Sequence, residues 1–229
     1  RQTAPQVAGF SMWPEVYDAN AIYGPNGNDI PKAFSFGGSY EVPKFSTDNK
    51  LVNLAAAGWQ VGGLIIAQSG TPFSVYNNTV SGDGTSVVSS GSYQLDGNPV
   101  TNEPALPQYT GTKRSGFSHD ELLNGAFTTS QFVVPAGYGV VPLSPNQQGI
   151  NTFRNPGYFN VDASLSKGFF LHVPRLGTAT QFIVRAEAVN LLNHTNFEAI
   201  DSNLSDSNFG KVTAANQARY LQLGGRFEF

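Results

Sequence analysis

The sequence predicts an all-β fold, an antiparallel up-and-down meander that forms a partial transmembrane β-barrel wall with long loops on one side. Three observations predict it. Five segments alternate apolar and polar residues with the period of two that strands have. Charged residues make up 13 % of the chain, about half the usual level in soluble domains, while aromatic residues reach 12 %. Short and long connections alternate between the segments, as periplasmic turns and extracellular loops do in such barrels.

Length and composition exclude several classes of protein. At 229 residues, a single β domain over residues 1–229 is expected. A net charge of −3 without a run of lysine or arginine gives no argument for nucleic acid as a partner. The absence of cysteine excludes disulfides and thiolate metal sites. No apolar run approaches the roughly 20 residues of a membrane-spanning helix, so membrane insertion would use strands.

Two strands are predicted in the first third of the chain. Residues 1–32 are rich in proline, glycine and asparagine and are predicted to be loop; without an apolar signal segment, we expect any leader to be cleaved before Arg1. The first strand covers residues 34–42, and Pro43 ends it. The short connection 44–57 leads to a second strand that begins at Trp59 and ends before residues 69–72. Phe73 to Tyr76 would extend it briefly.

Residues 77–157 are predicted to be a long loop region within the domain. Serine, glycine, threonine, asparagine and proline dominate this stretch, which is ordinary loop chemistry. Weak strand signals occur at residues 92–95 and 127–134. A loop of this length is uncommon in a compact domain and is usually functional or mobile.

Three further strands complete the meander. They begin at Tyr158, at Gln181 and at Tyr220, and the short turn 172–179 and the polar loop 193–217 separate them. Residues 185–193 also contain good helix formers, but the period of two and the preceding β-branched residues favour strand. The closing strand carries an apolar side; its members are Leu221, Leu223, Gly225, Phe227 and Phe229.

Several segments resemble a known family. They are residues 58–63 (GWQVGG) with 68–73 (QSGTPF), 154–162 (RNPGYFNVD), 185–197 (RAEAVNLLNHTNF) and 209–213 (FGKVT). They are similar to the C-terminal β-barrel portion of TonB-dependent outer-membrane receptors that carry a carboxypeptidase-regulatory-like N-terminal domain. The closing strand resembles the assembly signal of outer-membrane barrels, which implies this role for Leu221, Leu223, Phe227 and Phe229.

The resemblance implies a bacterial outer-membrane location and nutrient uptake, with no chemistry in this chain. Receptors of this family have plugged barrels of 22 strands, whereas five strands with two open edges are predicted here. Unpaired backbone groups are unstable in lipid. We therefore expect either a fragment of a longer protein or edges that pair with other copies, as a homo-oligomer, or with another chain. The expected partners are outer-membrane lipid and further β-strands.

Two alternatives from other classes remain open. One is a surface or extracellular structural protein whose open-edged sheet assembles with other copies by β-augmentation, for example into a fibre. The other, supported only by the many aromatic residues, is a soluble carbohydrate-binding sandwich.

Candidate pore and interface residues follow from the alternation. Arg185, Glu187, Arg226 and Glu228 lie on the polar sides of the last two strands, where they could pair across a lumen and line a solute path; alternatively they only satisfy one another within the wall. Trp59, Tyr158 and Phe159 lie near strand ends, where aromatic girdles meet the bilayer interface.

Candidate chemistry is sparse, and neither an enzyme nor a cofactor is predicted. His119-Asp120-Glu121, near Lys113 and Arg114, lacks a nucleophile at a useful spacing and is predicted to be a solvated loop tip. The histidines at 119, 172 and 194 have no metal-ligand spacing. The following oxygen donors could bind calcium, but they match no EF-hand and are interpreted as an ordinary polar loop: Asp201, Asn203, Asp206 and Asn208. Residues 81–84 lack the lysine of a phosphate loop.

Overall fold

The computed structural model describes residues 24–43, 49–75, 107–112, 116–133, 151–170 and 180–229, with several short strand pairs elsewhere. The chain divides into two compact units. The sheet unit comprises residues 32–68, 158–196 and 216–229. The loop unit comprises residues 1–31, 69–157 and 197–215. That residues 1–229 form one domain stays a prediction.

The sheet unit is a five-stranded antiparallel meander. Its strands are β1 (Ala33–Glu41), β2 (Trp59–Gln68), β3 (Tyr158–Phe170), β4 (Gln181–Val189) and β5 (Tyr220–Glu228). In space they follow the order of the chain, and every neighbouring pair is antiparallel. The predicted meander is confirmed, and so is strand rather than helix over residues 185–189.

The cross-strand register gives the sheet one apolar and one polar face. Side chains of directly paired residues lie on the same face, and Phe34 pairs with Ala67, which pairs with Phe159. The apolar face is made by Phe34, Phe36, Tyr40, Trp59, Val61, Ile65, Phe159, Val161, Leu165, Phe169, Phe182, Val184, Leu221, Leu223 and Phe227, with Lys167 as the exception. The polar face carries Ser39, Gln60, Asp162, Ser164, Ser166, Arg185, Glu187, Gln222, Arg226 and Glu228, with the apolar side chains of Leu64, Ile66, Phe170, Ile183 and Val189 among them.

Burial in the sheet unit is the reverse of that in a water-soluble domain. Its buried side chains, among the described residues, are polar: Asn160, Lys167, Thr180, Asn190 and Asn196. Large apolar side chains of the apolar face are open, with Phe36 65 % and Leu223 80 % exposed. Leaving one such side chain in water costs roughly 1.5–3 kcal/mol relative to burial. A whole face of them would exceed the roughly 5–15 kcal/mol by which domains are stable.

The short connection between β1 and β2 contains a helix, α1 (Lys50–Ala56), which the sequence interpretation did not include. Gly58 ends this connection with a φ of 78°. A Cβ at Gly58 would lie 2.6 Å from the carbonyl oxygen of Gly168. Glycine is therefore required here both for the left-handed backbone and for the close approach of two strands.

The loop unit has its own hydrophobic core, which the prediction of one long loop over residues 77–157 did not include. Its buried members are Val75, Leu122, Phe127, Phe132, Phe153, Ile200, Phe209 and Val212. The ring of Phe127 lies within 6.3 Å of the rings of Phe73, Phe132 and Phe153 in edge-on or near edge-on arrangements. Aromatic pairs of this geometry contribute beyond the area that they bury.

Short elements frame this core. α2 (His119–Asn124) and a 3-10 turn (Thr129–Gln131) precede the strand Phe132–Val133, which pairs with Gln108–Tyr109. Pro72–Phe73 pairs with Phe153–Arg154 and so does not prolong β2. The remaining two-residue pairs are Gln6–Val7 with Phe10–Ser11, Thr79–Val80 with Val87–Val88, and Gln94–Leu95 with Asn98–Pro99.

Hydrogen bonds join the two long connections, residues 69–157 and 190–219, within the loop unit. The amide of Val212 donates to the carbonyl of Leu122 at 2.8 Å, and that of Ala126 donates to Gly210 at 2.7 Å. Ile200 N donates to the side chain of Asn155 at 3.0 Å. These parts of the two loops therefore fold together around one core.

Neither helix with a described backbone has the length or apolar character that a bilayer-spanning helix needs.

Candidate functional site: an apolar wall with a polar reverse side

The apolar face has the height of a bilayer's hydrocarbon region. Phe159 and Phe169 lie on this face near opposite ends of β3. The ten residue steps between them span about 33 Å at about 3.3 Å per residue. A strand tilt of about 40° reduces this to a height of about 25 Å, which is that of the apolar band of transmembrane barrels.

Aromatic side chains lie at both ends of this band. Phe169, Phe182 and Phe227 form one cross-strand row beside the short connections. Trp59 lies one row further in, and Phe34 and Phe159 lie at the end with the long loops. Tyr158 pairs with Gln68 and lies on the polar face, because successive side chains alternate. Trp59 and Phe159 are thus positioned for interface girdles, whereas the interpretation of Tyr158 as a girdle residue was wrong.

Lys167 is the one cation on the apolar face, and its side chain is only 7 % exposed. Its Nζ donates to the carbonyl of Ala55 at 3.3 Å and to that of Ala57, at the C-terminal end of α1. The Nζ also lies 4.8 Å from the ring centroid of Trp59. Trp59 Nε1 donates to the same Ala55 carbonyl at 2.7 Å. The ammonium therefore reaches carbonyls that a helix end leaves without partners.

The sequence contained a signal for this cluster that was not interpreted. Lys167 interrupts the apolar side of β3, and Trp59 begins the neighbouring strand β2 directly after Gly58. A lone lysine near the end of an otherwise apolar strand face indicates an interface residue that extends its charge toward water.

The predicted assembly-signal residues lie together on one exposed strand face. Leu221, Leu223 and Phe227 occupy alternate positions of β5 on the apolar face. The ring of Phe229 lies 6.0 Å from that of Phe227. In the described part of the chain, no strand pairs with the outer edge of β5 or of β1. Both edges therefore offer free backbone donors and acceptors, and the assembly role stays a prediction.

The four predicted pore residues share the polar face, but they pair within strands. Arg185 Nη2 lies 2.5 Å from Glu187 Oε1, and Arg226 Nη2 lies 2.9 Å from Glu228 Oε1. Gln181 also donates to Glu228. This arrangement corresponds to the alternative in which the charges satisfy one another within the wall. Residues two apart on a strand meet on the same face, and the lumen-lining role of these four residues stays a prediction.

A shallow depression of about 250 Å³ lies on the polar face around Arg185 and Glu187. Its other polar lining residues include Asp162, Ser164, Tyr220 and Gln222. Ser164 pairs with Glu187, which pairs with Gln222, so one cross-strand row supplies a hydroxyl, a carboxylate and an amide.

An asparagine-rich network holds the end of the sheet from which the long loops leave. Asn196 clamps the backbone of Phe159, since its Oδ1 accepts from the amide and its Nδ2 donates to the carbonyl, both at 2.8 Å. Asn190 bonds both the amide and the carbonyl of His194 at 2.9 Å. Asp162 Oδ1 accepts from Asn190 N at 2.9 Å. His194 is therefore a rim residue with structural contacts.

The loop unit contains an ion pair in one of the segments that carry the family resemblance. Arg154 pairs with Asp29 and donates to the carbonyls of Asp29 and Gly70. Asn155 Nδ2 donates to Thr71 at 3.2 Å. This segment thus ties residues 24–31 to residues 69–75, a scaffold role that sequence reasoning did not assign to these side chains.

The cluster at residues 119–121 is a helix start and not a loop tip. Ser118 caps α2, because its Oγ accepts from Glu121 N at 3.3 Å while Ser118 N donates to Glu121 Oε2 at 2.8 Å. His119 stacks obliquely on Phe197 at 4.8 Å between ring centroids. Lys113, Arg114 and His172 lie outside the described residues, as does the segment 81–84.

The carboxylates of the predicted polar loop serve as backbone hydrogen-bond acceptors. Asp201 Oδ1 accepts from Asn203 N at 3.0 Å, and Asp206 Oδ1 accepts from Asn208 N at 2.8 Å. Burial raises the pKa of Asp201; the hydrogen bond from Asn203 opposes this shift, and the nearby Asp206 charge adds to it. Among the described residues, no three acidic, histidine or cysteine side chains gather as a metal site.

A family model described as an outer membrane beta barrel domain matches residues 2–222 of the chain. No curated protein and no solved structure matches it.

Replacing Lys167 tests whether the ammonium lies near the interface or deep in the lipid. Near the interface, removing a charge gains about 0–1 kcal/mol, whereas its hydrogen bonds to carbonyls are worth about 1.5–3 kcal/mol each. We expect Lys167→Met to lower the free energy of unfolding from lipid vesicles by at least about 2 kcal/mol in denaturant titrations. Val184→Met, at the directly paired position, should be nearly neutral. A clear gain in stability for Lys167→Met would instead place the charge deep in the hydrocarbon.

Replacing Asp201 tests the raised pKa of its carboxyl. A raised pKa means that the folded state favours the protonated carboxyl. The stability that protonation contributes is present at low pH and is lost as pH rises through that pKa. Asp201→Asn keeps the oxygen acceptor for Asn203 N and should raise the thermal midpoint at pH 7. The gain should vanish below about pH 4, where the wild-type carboxyl is protonated. Thermal scans by near-ultraviolet circular dichroism measure it, and a gain that grows at low pH contradicts it.

Proposed function

The chain belongs to the outer membrane beta barrel domain family, and we propose that it is a wall segment of a TonB-dependent-receptor-like barrel that takes up nutrients. It is a protein of the outer membrane. In this proposal the chain performs no chemistry of its own. Its apolar face contacts lipid, and its polar face lines the route of the solute.

One observation carries the proposal: large apolar side chains are exposed on one face of the sheet, and paired charges lie on the other. Leu223 is 80 % exposed on one face of β5, while Arg185 and Glu187 on the other face of the wall are already paired. Such a sheet suits hydrocarbon on one side and an aqueous lumen on the other.

The direction of the strands supports completion of the wall by different strands. Because five antiparallel strands alternate, the edge strands β1 and β5 run in the same direction. If copies of the chain were inserted with the same orientation, β1 of one copy would pair with β5 of the next as a parallel pair. Bacterial outer-membrane barrels are instead antiparallel with an even strand number. An odd number of further strands closes the wall without a parallel joint. Strands of different sequence are therefore favoured over further copies of this chain as the partners of both edges.

The segments that resemble TonB-dependent receptors serve as scaffold. Gly58 and Trp59 lie at the turn beside α1, Arg154 and Asn155 anchor a loop, and residues 190–196 hold the end of the sheet. These positions maintain a wall and its loops, which is what a receptor barrel requires of this region. The fibre alternative would use the same open edges, but it leaves the apolar face without an occupant.

Arginine on each face of β5 tests which side meets lipid. Arginine at the bilayer mid-plane costs about 2–4 kcal/mol on a lipid-facing position and little in a lumen. Leu223→Arg should therefore reduce the amount of protein that assembles in the outer membrane, and heat-modifiability on gels measures that amount. Gly224→Arg is the matched control, because Gly224 faces the opposite side and has open space around its Cβ position.

Equal assembly of the two arginine variants would contradict the lipid-facing assignment. Assembly of the chain into regular polymers outside membranes, seen by electron microscopy, would favour the fibre alternative.

Nutrient uptake is tested in cells. A strain without the protein should grow more slowly than its complemented parent on at least one scarce solute from a panel, since receptors of this kind matter most when diffusion is limiting. A strain without the TonB energy-coupling protein should show the same defect. Uptake would be contradicted if loss of this protein left growth unaffected on every solute, or if the strain without the coupling protein grew normally on the solute concerned.

A further inference from the structure

The depression on the polar face combines hydrogen-bonding groups with one aromatic ring. Arg185 and Glu187 form its charged centre, and their side chains remain 57 % and 36 % exposed. Tyr220 and Gln222 come from β5, and Ser164 comes from β3. Four adjacent strands contribute to this patch, since Gly62, Gly63 and Leu64 of β2 also line it. Strands hold side chains more precisely than loops do.

The charged pair has the chemistry for two neighbouring hydroxyl groups. A guanidinium carries five N–H donors and a carboxylate only acceptors, so a fixed pair of them presents donors beside acceptors. A vicinal diol, which donates and accepts at each oxygen, complements both. Gln222 lies directly opposite Glu187 on the next strand and adds an amide with both functions.

Glycine shapes the floor of the depression. Gly62 lies directly opposite Ser164, and a Cβ on it would come within 2.6 Å of Ser164 Oγ. The position therefore keeps the hydroxyl accessible and the floor low. Tyr220, 48 % exposed, supplies an aromatic surface at the other side, on which the apolar face of a sugar ring can pack.

The charge and the volume of the depression disfavour anions and large solutes. Arg185 is balanced by Glu187, and the further carboxylate of Asp162 leaves the lining without surplus positive charge for an anion such as phosphate. The volume of about 250 Å³ falls below the roughly 300–1,000 Å³ of sites for drug-sized ligands. A single neutral polyol ring matches a depression of this volume.

We propose that this depression is a subsite for a neutral polyhydroxylated solute, a single sugar unit, on the lumen side of the wall. Arg185 and Glu187 bind neighbouring hydroxyls, Gln222 and Ser164 bind further oxygens, and Tyr220 packs on the ring. The inference rests on the proposed function, since it names the class of solute that passes along the polar face.

Binding of methyl α-D-glucopyranoside tests the proposal. Saturation-transfer NMR on the complete outer-membrane protein in lipid nanodiscs should show saturable binding with a millimolar Kd. Glu187→Ala should weaken it at least about tenfold, because a lost charged hydrogen bond is worth at least that factor. Tyr220→Leu, which keeps apolar bulk, should weaken it several-fold. Glu41→Ala removes a carboxylate of β1 that does not line the depression and should leave the Kd unchanged.

Three results would overturn the subsite. They are no saturable binding of the glucoside, equal binding by Glu187→Ala and the wild type, or tighter binding of inorganic phosphate than of the glucoside. These failures are distinct from failure of the proposed function. A protein that assembles in the membrane and supports uptake without binding the glucoside contradicts the subsite alone.

Discussion

The rest of the structure depends on one constraint: along most of the described strands, the large side chains on the apolar face of the sheet are exposed, and α1 contacts one end of that face at Trp59 and Lys167. Leu223 and Phe36 are open, while the buried core lies in the other unit, around Phe127. A face of this kind needs a non-aqueous neighbour, and hydrocarbon is one, because exposing it to water costs more than a domain's whole stability. The aromatic rows at its ends and the family match to outer-membrane barrels agree with that environment.

The polar groups of the wall follow from the same constraint. Hydrocarbon satisfies no hydrogen bond, so every charge near the apolar face needs a protein partner. Lys167 finds one at the carbonyl end of α1. The asparagines at the far rim bond backbone groups where the sheet ladder ends. The edges of β1 and β5 are the part of the wall that lipid would leave unsatisfied.

Predictability differed between the two units for a physical reason. All five strands were predictable, because a period of two follows from neighbouring residues alone. The core of the loop unit was not, since Phe73, Phe127, Phe153 and Phe209 are far apart in sequence and show no period. α2 was predictable as well, because Ser118 and Glu121 have the capping-box spacing, which is a local signal. For the charges of the wall, the sequence left open pairing across a lumen or within the wall, and the structure pairs each along its own strand.

By itself, the sequence determined that this protein is a meander with one apolar and one polar face, because alternation along each strand is a local property. It also indicated an outer-membrane barrel through composition and connection lengths. Only the tertiary structure decided the register, and with it which side chains share a row, such as Ser164, Glu187 and Gln222. It alone brought Lys167 to the end of α1 and the aromatic rings of two long loops into one core. Such contacts join residues remote in sequence, so no local pattern encodes them.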